Sequence, residues 1–411
     1  MAKTGRNLAD LMDSNRSEIL GYVLRHEGCT RADLSNITGL TPASITKILH
    51  SLIDADIVHE SVIHPSRRGR RSIGLSFNYG KYKLLAVKLA WTSVDMQVYD
   101  FGGSPCDRMV STPLTKLDVS NIFQILDLIG NRVREMQKKF PEIIAVGVAV
   151  PGPYSSEHGG LMLPPYNLVP SRRSYIAILS ELEKRVNLPV FVGHDSDMGA
   201  LAYSWFMDPD GEYPVIMNIL GNYGLGVGIV SKGKVYTSSL DSSSELAHIT
   251  IDYKGRLCPT CGGRGCISAY CSEQAIGQIA QETLADHPDS MLTRMHPLTA
   301  ESVFICAARG DIHSQNIVFN TGVNLGYGII SLLHVFNPNL IVISGNIVHA
   351  GNLLLDGLND SLRKNRTYYM SIPPIKMLPV EEHLTLLGGV VAALRGVLKA
   401  PTKYLNLPEN N

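Results

Sequence analysis

One histidine and three cysteines lie within a short glycine-rich stretch, HITIDYKGRLCPTCGGRGCIS, that begins at residue 248. The four residues are His248, Cys258, Cys261 and Cys266. Thiolate sulfur and imidazole nitrogen are the usual ligands of tetrahedral zinc, and four protein ligands leave no open position for a reactive water. Gly262, Gly263 and Gly265 would let the chain turn tightly around an ion. The pattern favours a structural zinc site.

Two other kinds of chemistry fit the same cysteines. A disulfide would leave one of the three thiols unpaired, and disulfides are rare in the cytoplasm. A redox-active pair would use Cys258 and Cys261, but such a Cys-x-x-Cys pair normally opens a helix in a thioredoxin-like unit. Both stay open as alternatives to zinc. The remaining cysteines are scattered, and we interpret them as ordinary buried residues: Cys29, Cys106, Cys271 and Cys306.

Residues 1–78 carry the pattern of a DNA-binding module. We expect a first helix capped by Asn15, a second capped by Thr30 and a third capped by Thr41. Pro42 stands at the first position of the third helix, where its missing N–H has no cost. Two strands around a basic turn follow. The order of helix, short helix, glycine-containing turn, helix and basic hairpin predicts a winged helix-turn-helix.

Two groups of residues in this module could contact double-stranded DNA. The start of the third helix presents small or polar side chains to a major groove: Thr41, Pro42, Ala43, Ser44, Thr46 and Lys47. The wing carries four arginines around one glycine: Arg67, Arg68, Arg70 and Arg71. An Arg-Gly-Arg core is narrow enough for an A·T minor groove, where the negative potential is enhanced. The alternative is a protein-interaction domain with a solvated basic loop.

The composition is that of a globular protein of two to three domains. Of 411 residues, 45% are hydrophobic and 18% are charged, and the formal net charge is zero. The protein as a whole therefore exerts no attraction on nucleic acid or membranes, and any basic surface is local. The first residues lack the apolar core of a signal peptide, and no apolar run is long enough for a membrane span. We expect a cytoplasmic protein that does not bind membranes.

Beyond residue 82, predicted strands and helices alternate, with glycine turns after the strands. This alternation of strands and helices indicates two α/β lobes with a ligand cleft between them. We expect a first lobe over 82–200 and a second lobe with the zinc loop over 201–380. The segment 381–400 reads as a helix that packs back on the first lobe, and the tail after Pro401 is expected to be frayed.

The chain resembles the ROK family, whose name stands for repressor, open reading frame and kinase. The motifs that carry the resemblance are AVGVAVPGP, VGHDSDMGALA, LGNYGLGVGIVSKGKVY, SELAHITID and CPTCGGRGCIS. The resemblance covers nearly the whole chain, and the winged helix marks the repressor branch. It implies a winged helix followed by a two-lobed actin-like, sugar-kinase fold with a sugar site between the lobes.

The resemblance also implies which residues face the sugar. His248 would bind zinc and face the sugar beside Glu245, and Asp195 stands where the kinases have their catalytic base. The remaining candidates for sugar contact are Asn167 and His194. Three positions depart from the family: His194 replaces an Asn, Ser268 replaces a Glu that accepts from the sugar, and two residues instead of one separate Cys258 from Cys261.

The phosphate-binding positions of the kinases are not retained. Where the kinases end their first strand with Asp-x-Gly-Gly-Thr, this chain has Lys88, Ala90 and Trp91. A lysine cannot hold Mg²⁺, and a tryptophan would fill the space that phosphates need. Asn222, Tyr223 and Gly224 replace the second phosphate turn, Gly-Thr-Gly. We therefore expect no catalytic residues and no kinase activity.

The sequence favours a sugar-responsive transcription regulator, most simply a repressor, that binds an operator as a homodimer or tetramer. Its effector would be a monosaccharide or a sugar phosphate, which changes lobe closure and so the spacing of two DNA heads. Two alternatives are kept. One is a regulator with a dead sugar site that acts constitutively or through a protein partner, and the other is an active sugar kinase with a regulatory head.

Overall fold

The structure, a computed structural model, describes most of the chain. It covers residues 8–63, 72–118, 120–155, 159–163, 176–236, 244–368 and 371–408. An N-terminal head of three helices and a hairpin precedes two α/β lobes, each built on a five-stranded sheet.

The head has the helix order that its capping residues predict. Its elements are α1 (Leu8–Arg25), α2 (Arg31–Thr38), α3 (Pro42–Asp54), β1 (Val58–Ile63) and β2 (Ser72–Phe77). The side chain of Thr30 caps α2 and that of Thr41 caps α3, as predicted. The cap predicted at Asn15 is wrong, because α1 begins at Leu8 and passes through Asn15. The stretch LADLM before Asn15 contains strong helix formers and no helix breaker, so the helix extends through it.

The first lobe is a mixed sheet with the strand order β5-β4-β3-β6-β9. Its strands are β3 (Lys83–Leu89), β4 (Ser93–Asp100), β5 (Val110–Pro113), β6 (Ile143–Val150) and β9 (Val190–His194). The described residues of this lobe also form a small hairpin and two helices: β7 (Tyr154–Ser155), β8 (Gly160–Leu161), α4 (Ile122–Lys139) and α5 (Ile178–Glu183). Strands β3, β6 and β9 run parallel, and the hairpin β3–β4 puts the turn 90–92 at the edge where β9 ends.

The second lobe repeats this plan with the order β12-β11-β10-β13-β14. Its strands are β10 (Val215–Gly221), β11 (Leu225–Ser231), β12 (Lys234–Val235), β13 (Leu340–Ser344) and β14 (Ile375–Met377). Its helices are α7 (Ser268–Cys271), α8 (Glu273–Thr283), α9 (Ala300–Ala308), α10 (Ile312–Phe336) and α11 (Gly351–Asn365). Helix α10 is long and apolar enough to span a membrane by length and composition, but 56% of its most apolar window is buried inside this lobe.

Two helices join the lobes. Helix α6 (Asp195–Ala202) packs on β10 and β11, and α12 (Leu384–Lys399) packs on α6 and on the sheet of the first lobe. The backbones of α6 and β11 are in direct contact, because a Cβ on Gly228 of β11 would collide with the Ser196 carbonyl of α6. The lobe boundary that we predicted at residue 200 falls inside α6. A movement between the lobes must therefore displace α6 against one of its neighbours.

The C-terminal tail packs on the head as far as Pro408, the last described residue, so the expectation of a frayed tail after Pro401 is wrong. Helix α13 (Pro401–Tyr404) is followed by Leu405 and Leu407, which are buried in a core shared with the head. Arg16 of α1 is 2% exposed and donates to the Thr402 hydroxyl (2.6 Å) and to the Pro408 carbonyl (3.2 Å). A buried guanidinium requires such acceptors, and they fix the tail in place.

Candidate metal centre, ligand cleft and DNA-binding face

The structure brings the four predicted metal ligands together. The donor atoms of His248, Cys258, Cys261 and Cys266 all lie within 4.8 Å of one another. The distance from Cys258 Sγ to His248 Nδ1 is 3.6 Å, and that from Cys261 Sγ to Cys266 Sγ is 3.5 Å. Ligand atoms bound about 2.0 to 2.3 Å from one tetrahedral zinc lie about 3.5 to 3.8 Å apart. The cluster therefore has the size and the donor chemistry of a closed tetrahedral metal site.

The loop around the cluster is shaped by its own backbone. The Cys258 N–H donates to the Gly263 carbonyl (2.7 Å), and the Gly263 N–H donates to Cys261 Sγ (3.4 Å). Gly262 and Gly265 have φ angles of +72° and +68°, which favour glycine. Cys258 and Cys266 are buried, His248 is half-buried and Cys261 is exposed. All seven cysteines are free thiols in this structure.

The predicted sugar residues His194 and Asp195 lie at the junction of β9 and α6. His194 is 6% exposed, and both ring nitrogens face neighbours: Nδ1 is 2.8 Å from Ser196 Oγ, and Nε2 is 3.4 Å from Asp195 Oδ1. The Asp195 carboxylate also accepts from the Ser196 N–H (2.7 Å). These contacts favour His194 as the residue that orients Asp195, rather than as a direct sugar ligand.

Two further predicted sugar residues are not placed by the structure. Asn167 and the side chain of Glu245 lie outside its described residues. Ser268, which stands where the family has a Glu, is 3% exposed and begins α7. His248 turns Nδ1 toward the cysteines.

Two aromatic rings meet at the positions that the family resemblance assigns to the kinases' phosphate turns. Trp91 follows β3, Tyr223 lies in the turn between β10 and β11, and their ring centroids are 6.3 Å apart. Lys116 Nζ lies 5.3 Å from the Tyr223 ring, and Lys88 Nζ lies 3.8 Å from the Asp95 carboxylate. Trp91 and Lys116 belong to the first lobe and Tyr223 to the second. An aromatic ring from each lobe therefore meets here, and Lys88 pairs with a carboxylate of its own sheet.

A cavity of about 1010 Å³ opens beside Tyr223 in the second lobe. Two carboxylates line it, Glu273 and Glu301, together with Asn346 and His349. Burial raises the pKa of Glu273, although its hydrogen bond with Asn346 and the nearby charge of Lys88 act in the opposite direction. A polyphosphate would meet two acidic groups here, which is unfavourable.

The candidate DNA-reading residues share the exposed start of α3. Thr41, Pro42, Ala43, Thr46 and Lys47 are exposed and Ser44 is half-buried, while Ile45, Ile48 and Leu49 face the core of the head. The four wing arginines Arg67, Arg68, Arg70 and Arg71 lie outside the described residues.

One residue at this face was missed by sequence reasoning. Arg31, at the start of α2, donates to Thr46 Oγ1 (3.2 Å) and pairs with Glu60 (2.7 Å). It therefore holds the helix that would enter the groove against the base of the wing. An arginine directly after the cap of α2 is the signal that could have identified it.

Comparisons with known proteins converge on one family. The sequence model of the ROK family matches residues 109–394. The DNA-binding transcriptional repressor Mlc of Escherichia coli is 27% identical over 82% of this chain and 81% of its own length. The xylose repressor of Bacillus subtilis is 24% identical over 89% of this chain and 90% of its own length.

Solved structures share the fold. A ROK family transcriptional regulator described as a homologue of the E. coli Mlc protein aligns with a TM-score of 0.79 and 26% identity, over 97% of this chain and 100% of its own. A ROK family glucokinase from Streptomyces griseus, in complex with glucose and AMPPNP, aligns with a TM-score of 0.65 and 21% identity, over 76% of this chain and 99% of its own. These likenesses confirm the predicted winged helix followed by a two-lobed sugar-kinase fold.

Proposed function

The chain belongs to the ROK family, and we propose that it is a sugar-responsive transcription regulator, most simply a repressor, with no kinase activity. The observation that carries the proposal is the pairing of two features in one chain. A helix with a capped, exposed and polar N-terminus lies in the head, and Trp91 and Tyr223 lie in the body at the positions where the family's kinases would have their phosphate turns. Relatives named as a repressor and as a xylose repressor support it.

In this proposal the head binds double-stranded operator DNA. Lys47 and the arginine wing would contact phosphates and the minor groove, while Thr41, Ser44 and Thr46 would approach base edges in the major groove. A homodimer, or a tetramer built from it, would present two heads to two half-sites about one helical turn apart. Operator binding that weakens steeply with salt is the expected signature.

The effector would be a monosaccharide or a sugar phosphate held between the lobes. Asp195 would accept a hydrogen bond from a sugar hydroxyl, and His194 would keep that carboxylate in place. Asn167, Glu245 and His248 complete the proposed site. Binding would change the angle between the lobes, and with it the operator affinity.

Zinc is the metal that we assign to His248, Cys258, Cys261 and Cys266. Its four protein ligands would make it structural, so that it holds the loop that carries His248 and performs no chemistry. We also propose that the domains end at residues 78, 200 and 380. The cytoplasm is the proposed location of the protein.

Two variants test the two halves of the proposal separately. Lys47→Ala should weaken operator binding and leave sugar-induced thermal stabilisation unchanged. Asp195→Asn should abolish sugar-induced stabilisation and leave sugar-free operator binding intact. If operator binding is intact but no sugar stabilises the wild-type protein, the alternative of a constitutive or protein-partnered regulator is correct. Sugar-dependent ATP consumption would instead establish a kinase.

A further inference from the structure

A single tryptophan lies where the DNA-binding head meets the body. Trp205 is 8% exposed, and the guanidinium carbons of Arg25 and Arg395 each lie 5.2 Å from its ring centroid. Arg25 is the last residue of α1 in the head, and Arg395 belongs to α12 in the body. A tryptophan face attracts each guanidinium. This one ring therefore holds α1 and α12 together although the positive charges of Arg25 and Arg395 repel each other.

The contact between head and body extends around this ring. Arg25 Nε donates to the Gly21 carbonyl (3.1 Å), which fixes the guanidinium against its own helix. A Cβ on Gly21 would lie 3.9 Å from the Trp205 ring, so α1 itself packs on the indole. His26 Nδ1 lies 3.6 Å from Asp210, just beyond the segment that carries Trp205. The end of α1 therefore docks on the segment 205–210, beside its packing on α12 and α13.

Those residues continue the helix that begins at the proposed sugar site. Helix α6 starts at Asp195 and ends at Ala202, and a π-helical turn, Tyr203–Met207, follows it without a break. From Asp195 to Trp205 the rise is roughly 15 Å at 1.5 Å per residue. A π-helical turn is a wider, rarer geometry that is frequent at functional positions.

Helix α6 is also confined on its sides. The Ser196 carbonyl accepts from Asn218 Nδ2 of β10 (3.0 Å), and Gly388 of α12 approaches the Met198 backbone so closely that a Cβ would collide with it. Because packed elements shift as units instead of deforming continuously, a displacement at Asp195 moves the whole helix. Trp205, directly after α6, is the residue of this helical segment that contacts the head, beside the packing of α1 on α12.

We propose that Trp205, held by Arg25 and Arg395, is the coupling residue that transmits the state of the sugar cleft to the DNA-binding head. The inference rests on the proposed function and deepens it. In this proposal, α6 and its π-helical end transmit a displacement from Asp195 to α1. Arg25 is exposed, so its substitution disturbs the junction without opening the core.

The first test needs no sugar. The chain has two tryptophans, Trp91 and Trp205, so in Trp91→Phe protein the emission reports on Trp205 alone. Operator duplexes selected in vitro with wild-type protein should shift that emission as the head moves on the body. Adding Arg25→Met should abolish the shift, whereas the matched change Arg132→Met, at an exposed ion pair on α4, should preserve it. An emission unaffected by operator binding overturns the proposal.

The second test measures coupling in otherwise wild-type protein, with xylose, glucose, N-acetylglucosamine and their phosphates as probes. We expect the probe that changes operator affinity tenfold in wild-type protein and in Arg132→Met to change it less than threefold in Arg25→Met. That probe should stabilise all three proteins equally. An equal response in Arg25→Met and Arg132→Met overturns the proposal. If no probe acts on the wild-type protein, the sensing function fails, and the first test still decides whether Trp205 couples head and body.

Discussion

Removal of one cysteine from the metal cluster should cost the second lobe a large, measurable part of its stability. The change is Cys266→Ser, at a thiol that is 3% exposed and 3.5 Å from Cys261 Sγ. A metal bound by His248 and Cys266 closes a loop of 19 residues. Restricting an unfolded loop of that length stabilises the folded state by about 3 kcal/mol. We expect Cys266→Ser to lower the free energy of unfolding by at least that amount.

The assay has three readouts on the purified protein. Metal analysis should give one zinc per chain for the wild type and almost none for Cys266→Ser. Denaturant unfolding should show the loss of stability. A chromogenic zinc indicator present in the same titration should detect release of the metal from the wild-type protein as it unfolds. The matched control is Cys106→Ser, since Cys106 is a free, half-buried thiol in the first lobe.

The result that would refute this reasoning is specific. If wild-type protein contains no zinc and its unfolding is as sensitive to Cys106→Ser as to Cys266→Ser, the four residues do not form a metal site. If the thiols of Cys261 and Cys266 are found oxidised and reductant lowers the stability, the disulfide alternative is correct instead.

Three further predictions follow from other contacts. Asp311 caps α10 and accepts from the hydroxyls of Ser314 and Ser290 and from the N–H groups of Met291 (2.8 Å) and Ser314 (2.9 Å). Burial raises the pKa of Asp311, but these hydrogen bonds, that of the Ser314 hydroxyl first, outweigh burial and lower the pKa to about 2. Asp311→Ala should therefore cost about 2 kcal/mol near neutral pH. Because the folded pKa is depressed, the stabilisation is present above about pH 4 and is lost as pH falls toward 2. In urea unfolding, the free energies of unfolding of wild type and Asp311→Ala should therefore converge between these pH values. A difference that stays constant with pH would contradict this prediction. Gly228→Ala should cost about 1 to 3 kcal/mol, because its Cβ meets the Ser196 carbonyl, while Gly224→Ala, with nothing within 4 Å, should be nearly neutral in thermal unfolding. Wild-type protein should show no sugar-dependent ATP hydrolysis. Lys88→Asp should not create it while Trp91 and Tyr223 replace the small residues of the kinases' phosphate turns, and turnover in either protein would contradict this prediction.

Local chemistry could be read from the sequence where neighbouring residues decide the structure. Thr30 and Thr41 cap their helices because a hydroxyl needs only the next turn as its partner. The metal cluster was predictable for the same reason, since three of its four ligands lie within nine positions, from Cys258 to Cys266. Asn15 shows the limit of this reasoning, because a residue that caps helices well does not mark the start of a helix when strong helix formers precede it.

Long-range partners could not be predicted. Arg25, Trp205 and Arg395 lie on three elements that are far apart in the chain, and no spacing rule links them. The order of the tail depends on Arg16, which is separated from Thr402 by almost the whole sequence. His194 was predicted as a sugar contact from its position after β9, but only the structure shows that it is buried between Ser196 and Asp195.

The central claim, that a sugar in the cleft controls DNA binding, is tested most directly by operator affinity with and without sugar. Fluorescence anisotropy of the duplex upstream of this protein's own gene, titrated at fixed salt against a panel of sugars and sugar phosphates, measures it. We predict specific binding that one sugar changes by tenfold or more, about 1.4 kcal/mol of coupling, and that Asp195→Asn no longer responds to that sugar. Specific binding that every sugar leaves unchanged would contradict the claim.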